Sequence, residues 1–228
     1  MIEEIIREVV PDNGKYLYGF ADLRGLLSDR FKDHDYGIVI GKKLDDWVVD
    51  SIIEGPNQSY YELYMETNDA LSGLVQRISR VLEPAGISSI PVEPTIPDEQ
   101  LDGEKLIYEF SHKMAATRAG LGWIGKTALL VSKAFGPRLR LATVLIDRTP
   151  ENPGPAINSS RCGECSLCVK LCPAKAANGL LWEVGLEREV FFNPFRCREM
   201  CLELSQKRIG RKVSICGICI SVCPVGRR

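Results

Sequence analysis

All nine cysteines of this 228-residue chain fall between residues 162 and 223, and eight stand at the spacing that two cubane iron–sulfur clusters require. Cys162, Cys165, Cys168 and Cys172 form C-x2-C-x2-C-x3-C with Pro173 directly after; Cys216, Cys219 and Cys223 form C-x2-C-x3-C with Pro224 after. Two-residue gaps let successive thiolates turn to one small body, and the proline ends the loop. In such a run the fourth cysteine serves the other cluster. Cluster one is therefore expected to take Cys162, Cys165, Cys168 and Cys223. Cluster two takes Cys216, Cys219 and Cys172 and needs one more ligand.

Between the runs only Cys197 and Cys201 are available, four residues apart and so on one face of any helix there. Cys197 is favoured because it follows the turn-forming Asn193-Pro194, where a helix would begin. Cys201 then reads as a small buried hydrophobe. Zinc uses paired C-x2-C knuckles and has no need of a third cysteine in the run. Disulfides need an oxidising compartment. The opening MIEEIIREVV is acidic and amphipathic, unlike a signal peptide, so a cytoplasmic setting with reduced thiols is expected.

Net charge is −1, but residues 161–228 carry a formal +6 and residues 1–160 a formal −7. Cations near two anionic clusters offset buried negative charge. A nucleic-acid surface built from Lys207, Arg208, Arg211, Lys212, Arg227 and Arg228 is the alternative, but no aromatic residues interleave them. No apolar run reaches the length of a membrane span.

Residues 1–150 read as a mixed α/β domain and 151–228 as a cysteine-rich domain held mainly by metal. Apolar residues at helical spacing predict helices over 2–10 and 60–82. Residues 104–119 also read as helix. Strands are predicted over 36–40, 127–131 and 139–146. Residues 90–98, with three prolines, predict an extended loop.

Residues 120–127, GLGWIGKT, satisfy the phosphate-loop pattern G-x4-G-K-T. A true phosphate loop leaves a strand and opens a helix. Here helix precedes and strand follows, so nucleotide hydrolysis is not expected.

The stretch from His112-Lys113 through AGLGWIGK, a strand ending at Asp147, CGECSLCVKLCPAKA, lone Cys197 and CGICISVCP resembles the epoxyqueuosine reductase family and the corrinoid iron–sulfur core of reductive dehalogenases. The resemblance covers about residues 105–225. It implies a nitroreductase-like α/β domain holding a cobalamin, followed by a ferredoxin-like domain with two [4Fe–4S] clusters. It also implies that cluster one lies nearest the corrin and that Cys197 is the isolated ligand. Gly120, Gly122 and Gly125 would let backbone approach the flat ring, Trp123 would pack on it, and Lys126 would meet a side-arm oxygen; the alternative is a core tryptophan and a surface lysine. A flavin in place of the corrinoid is a further alternative. The segment before AGLGWIGK lacks the acidic proton donor of the family, and His112 is expected in its place. The family's tRNA-modifying members continue into a helical-repeat region after the clusters, whereas this sequence ends five residues past Cys223. A small or nucleoside-like substrate is thus expected before tRNA.

The function expected is reductive. Single electrons from a ferredoxin- or flavodoxin-type donor would pass through both clusters to cobalamin. The alternative is a two-cluster electron carrier, or a reductive activator of another corrinoid protein, with no cobalamin of its own.

Overall fold

The structure is a computed structural model and describes residues 1–227; Arg228 of the basic tail lies outside them. In chain order the elements are α1 (Ile2–Val9), β1 (Tyr16–Asp22), β2 (Tyr36–Lys43), α2 (Asp46–Asp50), α3 (Gln58–Leu82), β3 (Ser89–Val92), α4 (His112–Arg118), β4 (Gly122–Ile124), β5 (Leu130–Ser132), β6 (Leu139–Ile146), α5 (Leu167–Lys170), α6 (Arg188–Phe191), α7 (Pro194–Ile209) and α8 (Ile218–Ser221). No helix is long and apolar enough to cross a membrane.

The chain forms two compact units that interleave along the sequence rather than parting near residue 150. The first comprises Met1–Lys43, Thr67–Leu121 and Leu139–Ile157, and the second Leu44–Glu66, Gly122–Arg138 and Asn158–Arg228.

The first unit is built on an antiparallel sheet in the order β1-β2-β6-β3. Alternation puts Phe20, Ile38 and Val144 in register across three strands. They share a core with Ile2 and Ile6 of α1 and with Leu71, Leu74, Val75, Ile78 and Leu82 of α3. The expected loop over 90–98 instead begins as β3, an edge strand paired with β6. Pro91 is tolerated there because an edge strand can spare a donor. Helix over 104–119 shortens to α4, which Ser111 caps by accepting from the Met114 N–H.

In the second unit, Leu44, Val49, Ile52, Tyr60 and Ile215 make a small core. Fully buried Arg138 donates to Asp46 at 3.2 Å, to Asp50 at 2.6 Å and to the Ser221 carbonyl at 3.2 Å. It thereby ties α2 to α8. Asn193 caps α7 by accepting from the Arg196 N–H, with Pro194 in the first turn and left-handed Gly210 at the end.

Candidate metal centre

Segment 120–127 folds as a β-hairpin. β4 pairs antiparallel with β5 through Gly122↔Ser132, Trp123↔Val131 and Ile124↔Leu130. No helix follows the lysine, so the phosphate-loop likeness stays confined to sequence. The hairpin needs glycine at 122, where a Cβ would lie 2.2 Å from the Val131 carbonyl oxygen. Gly120 belongs to the first unit and has φ +69° just beyond α4. Gly125 packs toward Cys162, whose sulfur would be 3.7 Å from a Cβ placed there.

Two side chains of this segment, Trp123 and Lys126, turn to the first cysteine run within their own unit. The Trp123 indole N–H donates to the Cys162 sulfur at 3.3 Å. The Lys126 ammonium donates to the carbonyls of Gly163 at 2.9 Å and Cys165 at 3.0 Å. Trp123 and Lys126 are both buried. The side-arm contact expected of Lys126 gives way here to a clamp on the cysteine loop. A buried ammonium needs acceptors, and two main-chain carbonyls supply them.

Among the described residues, no three His, Cys, Asp or Glu side chains converge closely enough to hold one metal ion. The thiols act on one another in two groups, which meet where Cys168 acts on Cys219. Burial pushes the Cys168 thiol up to about 11, and Cys162, Cys223 and Cys165 add to the shift. Cys223 is likewise raised by burial and by Cys162 and Cys165. These four are the set the crossover rule assigns to cluster one. In the other set, burial raises Cys219, with Cys216 and Cys197 adding and a hydrogen bond from Thr127 opposing. Hydrogen bonds to Cys197 and then Cys216, followed by burial, make Cys201 hold its proton. The same contact holds Cys216 down to about 7. Cys172 is half-buried and accepts from the Ala176 N–H at 3.5 Å.

The donor chemistry fits clusters. Metal ligation needs thiolate, and N–H groups aimed at sulfur favour that form. Trp123 supplies one to Cys162 and Ala176 one to Cys172. The backbone N–H groups of Ile218 and Val225 serve Cys216 and Cys223.

His112 occupies another setting, in the first unit. Its Nε2 lies 2.9 Å from the Glu93 carbonyl and its Nδ1 2.9 Å from the Thr143 hydroxyl. A carbonyl only accepts, so Nε2 carries the proton and Nδ1 accepts from Thr143. Burial lowers the imidazole pKa to about 4. A ring that is neutral at pH 7 with both nitrogens engaged suits structure rather than proton donation, contrary to the expectation for His112. Three of the basic-tail residues are also engaged within their unit. Arg208 donates to the Pro56 carbonyl, Arg211 lies over the Tyr61 ring, and Arg227 donates to the Ser221 carbonyl.

Sequence reasoning did not single out Thr127 or Arg138 as part of this region. The tail of the phosphate-loop pattern holds Thr127, and a reading that discards the pattern discards the residue. Arg138 pairs with acids 92 and 88 residues earlier, which no local pattern announces.

Residues 161–226 match the family model described as a 4Fe-4S double cluster binding domain. Epoxyqueuosine reductase of Synechocystis sp. is 27% identical over 178 residues, covering 75% of this chain and 61% of that protein. The Pseudomonas aeruginosa epoxyqueuosine reductase is 34% identical over 116 residues, covering 50% and 31%. Among solved structures, the catabolic reductive dehalogenase NpRdhA in complex with 3-bromo-4-hydroxybenzoic acid superposes with TM-score 0.70 at 18% identity, covering 100% of this chain and 31% of that one. An epoxyqueuosine reductase with an epoxyqueuosine-modified tRNA-Tyr stem loop gives TM-score 0.61 at 17% identity, covering 99% and 64%. Both structures share the fold. Fold and cysteine layout together define a double-[4Fe–4S] protein with an α/β body and a ferredoxin-like cluster region. Within that class the chain is similar to epoxyqueuosine reductases over part of their length. It spans about a third to three fifths of these two curated relatives.

Proposed function

We propose that the protein is a cytoplasmic, oxygen-sensitive iron–sulfur reductase. It takes single electrons from a ferredoxin- or flavodoxin-type donor and delivers them to a cobalamin, for reductive cleavage or deoxygenation of a small or nucleoside-like substrate. The observation that carries the redox part is the grouping of Cys162, Cys165 and Cys223 about Cys168, which joins the two ends of the cysteine-rich segment. Cys197, Cys216, Cys219 and Cys172 would hold the second cluster.

The clusters, when bound, supply one-electron capacity at low potential, and a corrinoid supplies a cobalt-centred nucleophile that side chains lack. The chain holds eight thiols in place and aims N–H donors at Cys162, Cys172, Cys216 and Cys223. Leu167 and Leu171 are exposed beside Cys168 and Cys172, in a segment of net positive charge. That combination supports docking of an acidic electron donor.

Cobalamin rests on the family likeness. The polar side chains the resemblance gives to the corrin, Trp123 and Lys126, are committed to the cysteine loop, so no step is assigned to them there. The same observation favours a second reading: a two-cluster carrier, or an activator of another corrinoid protein, without its own cobalamin.

Anaerobic purification with iron, sulfide and absorption analysis tests these readings. About eight irons per chain with corrin bands support the first reading. Cluster absorption alone supports the second, and zinc or no metal would overturn both.

A further inference from the structure

We infer that the hairpin segment Gly122–Lys126 is a tuning element for cluster one, with Trp123 and Lys126 as positioning residues that raise its reduction potential. The inference rests on the two-cluster part of the proposed function and not on cobalamin.

Three residues of the segment meet the same short stretch, Cys162–Cys165. Trp123 is 7% exposed and places its only polar hydrogen 3.3 Å from the Cys162 sulfur. Gly125 leaves room for that sulfur, since a Cβ at 125 would sit 3.7 Å from it and only 2.9 Å from Val131 Cγ2. Lys126 is 6% exposed, and both of its named acceptors are main-chain carbonyls of the loop, at 2.9 and 3.0 Å.

Reduction adds one electron to a cluster that is already anionic with its four thiolates. An N–H donor on a ligand sulfur stabilises the more negative state, and so does a nearby cation held where water cannot screen it. Lys126 also fixes the loop between Cys162 and Cys165 from outside, so the two ligands keep their spacing in both oxidation states. Trp123 is a core tryptophan whose N–H nonetheless reaches a ligand sulfur, whereas a surface lysine would place no unscreened cation there.

The test is an anaerobic redox titration with dithionite as reductant, each cluster taking one electron from the 2+ to the 1+ state and read by electron paramagnetic resonance. Trp123→Phe keeps the ring and removes the donor; Lys126→Met keeps the length and removes the charge. Each variant should retain about eight irons. Each should move one cluster's reduction equilibrium about tenfold toward the oxidised form, ~59 mV for one electron, while the other cluster stays put. Unmoved midpoints at full iron, or equal shifts in both clusters, would overturn the inference. If both variants lose iron, wild-type protein grown with indole-15N tryptophan decides. A 15N coupling on one reduced cluster supports the role of Trp123, and its absence removes it. Wild-type protein with no [4Fe–4S] signal would sink the two-cluster reading itself, which distinguishes that failure from a cluster that forms but does not respond.

Discussion

Cys201 stands one turn of α7 beyond Cys197 and hydrogen-bonds it. Cys201 also reaches Cys216, so a cysteine expected to be a bland hydrophobe lies among the thiols assigned to cluster two. Its hydrogen bonds make it hold its proton, while they hold Cys216 down to about 7. Cys197, at the start of α7, is kept as the ligand, with Cys201 as the donor beside it. Cys201→Ser, which preserves a donor, should leave about eight irons per chain, and Cys197→Ser should lose about four. Iron analysis of oxygen-free protein reads both, and the opposite result would exchange the two roles.

His112 gives a pH prediction. Its folded pKa of about 4 lies below the ordinary 6.5, so on acidification the unfolded chain binds the extra proton first. Stability from the neutral ring is whole above about pH 6.5 and is lost as pH falls toward 4. The full loss is at most about 3 kcal/mol. Hydrogen-exchange protection in β6, compared at pH 7 and pH 5, should fall in the wild type and change less in His112→Gln. Equal falls would remove His112 as the cause.

Gly122→Ala should open the β4–β5 hairpin, because the new methyl would meet the Val131 carbonyl at 2.2 Å. Overpacking of this kind costs about 1–3 kcal/mol, and rigid backbone on the far side puts it at the upper end or beyond. Displacement of Trp123 and Lys126 should then cost cluster one its iron, leaving about four atoms per chain. Full iron with native thermal stability would show that the hairpin shifts freely.

Arg138→Leu should destabilise the second unit by about 1–3 kcal/mol: Asp46 loses its guanidinium partner, while Asp50 and the Ser221 carbonyl keep Arg227. Asp50→Asn should cost far less, because that side chain is about half exposed. Anaerobic urea titration of the iron-loaded protein measures both.

The sheet and its long helix were largely legible. The run Tyr36–Ile40 became β2, residues 139–146 became β6 at the predicted bounds, and the apolar stripe over 60–82 became α3. β1 was passed over, although Tyr16, Tyr18 and Phe20 alternate in the manner of a half-buried strand. Gly19 in its middle hid the pattern. Helix is expected over 104–119, but Leu106 adopts φ +50° and its first part closes in turns. Cysteine spacing puts Cys162, Cys165 and Cys223 with Cys168; those three thiols act on it here, and Cys168 acts on Cys219 as well. The partners of Trp123, Lys126 and His112 are long-range contacts, and residue types alone could not choose between a ring, a loop carbonyl and a hydroxyl for them.

The second unit gathers Leu44–Glu66, Gly122–Arg138 and the cysteine-rich tail from three separate stretches of chain. Truncation after residue 150 would strand α2 and the hairpin without the partners that complete them, so the chain has no clean cut point there. Iron loading should therefore register as slowed amide exchange near residues 50 and 130 as well as beside the thiols, making cofactor insertion a check on folding of the second unit.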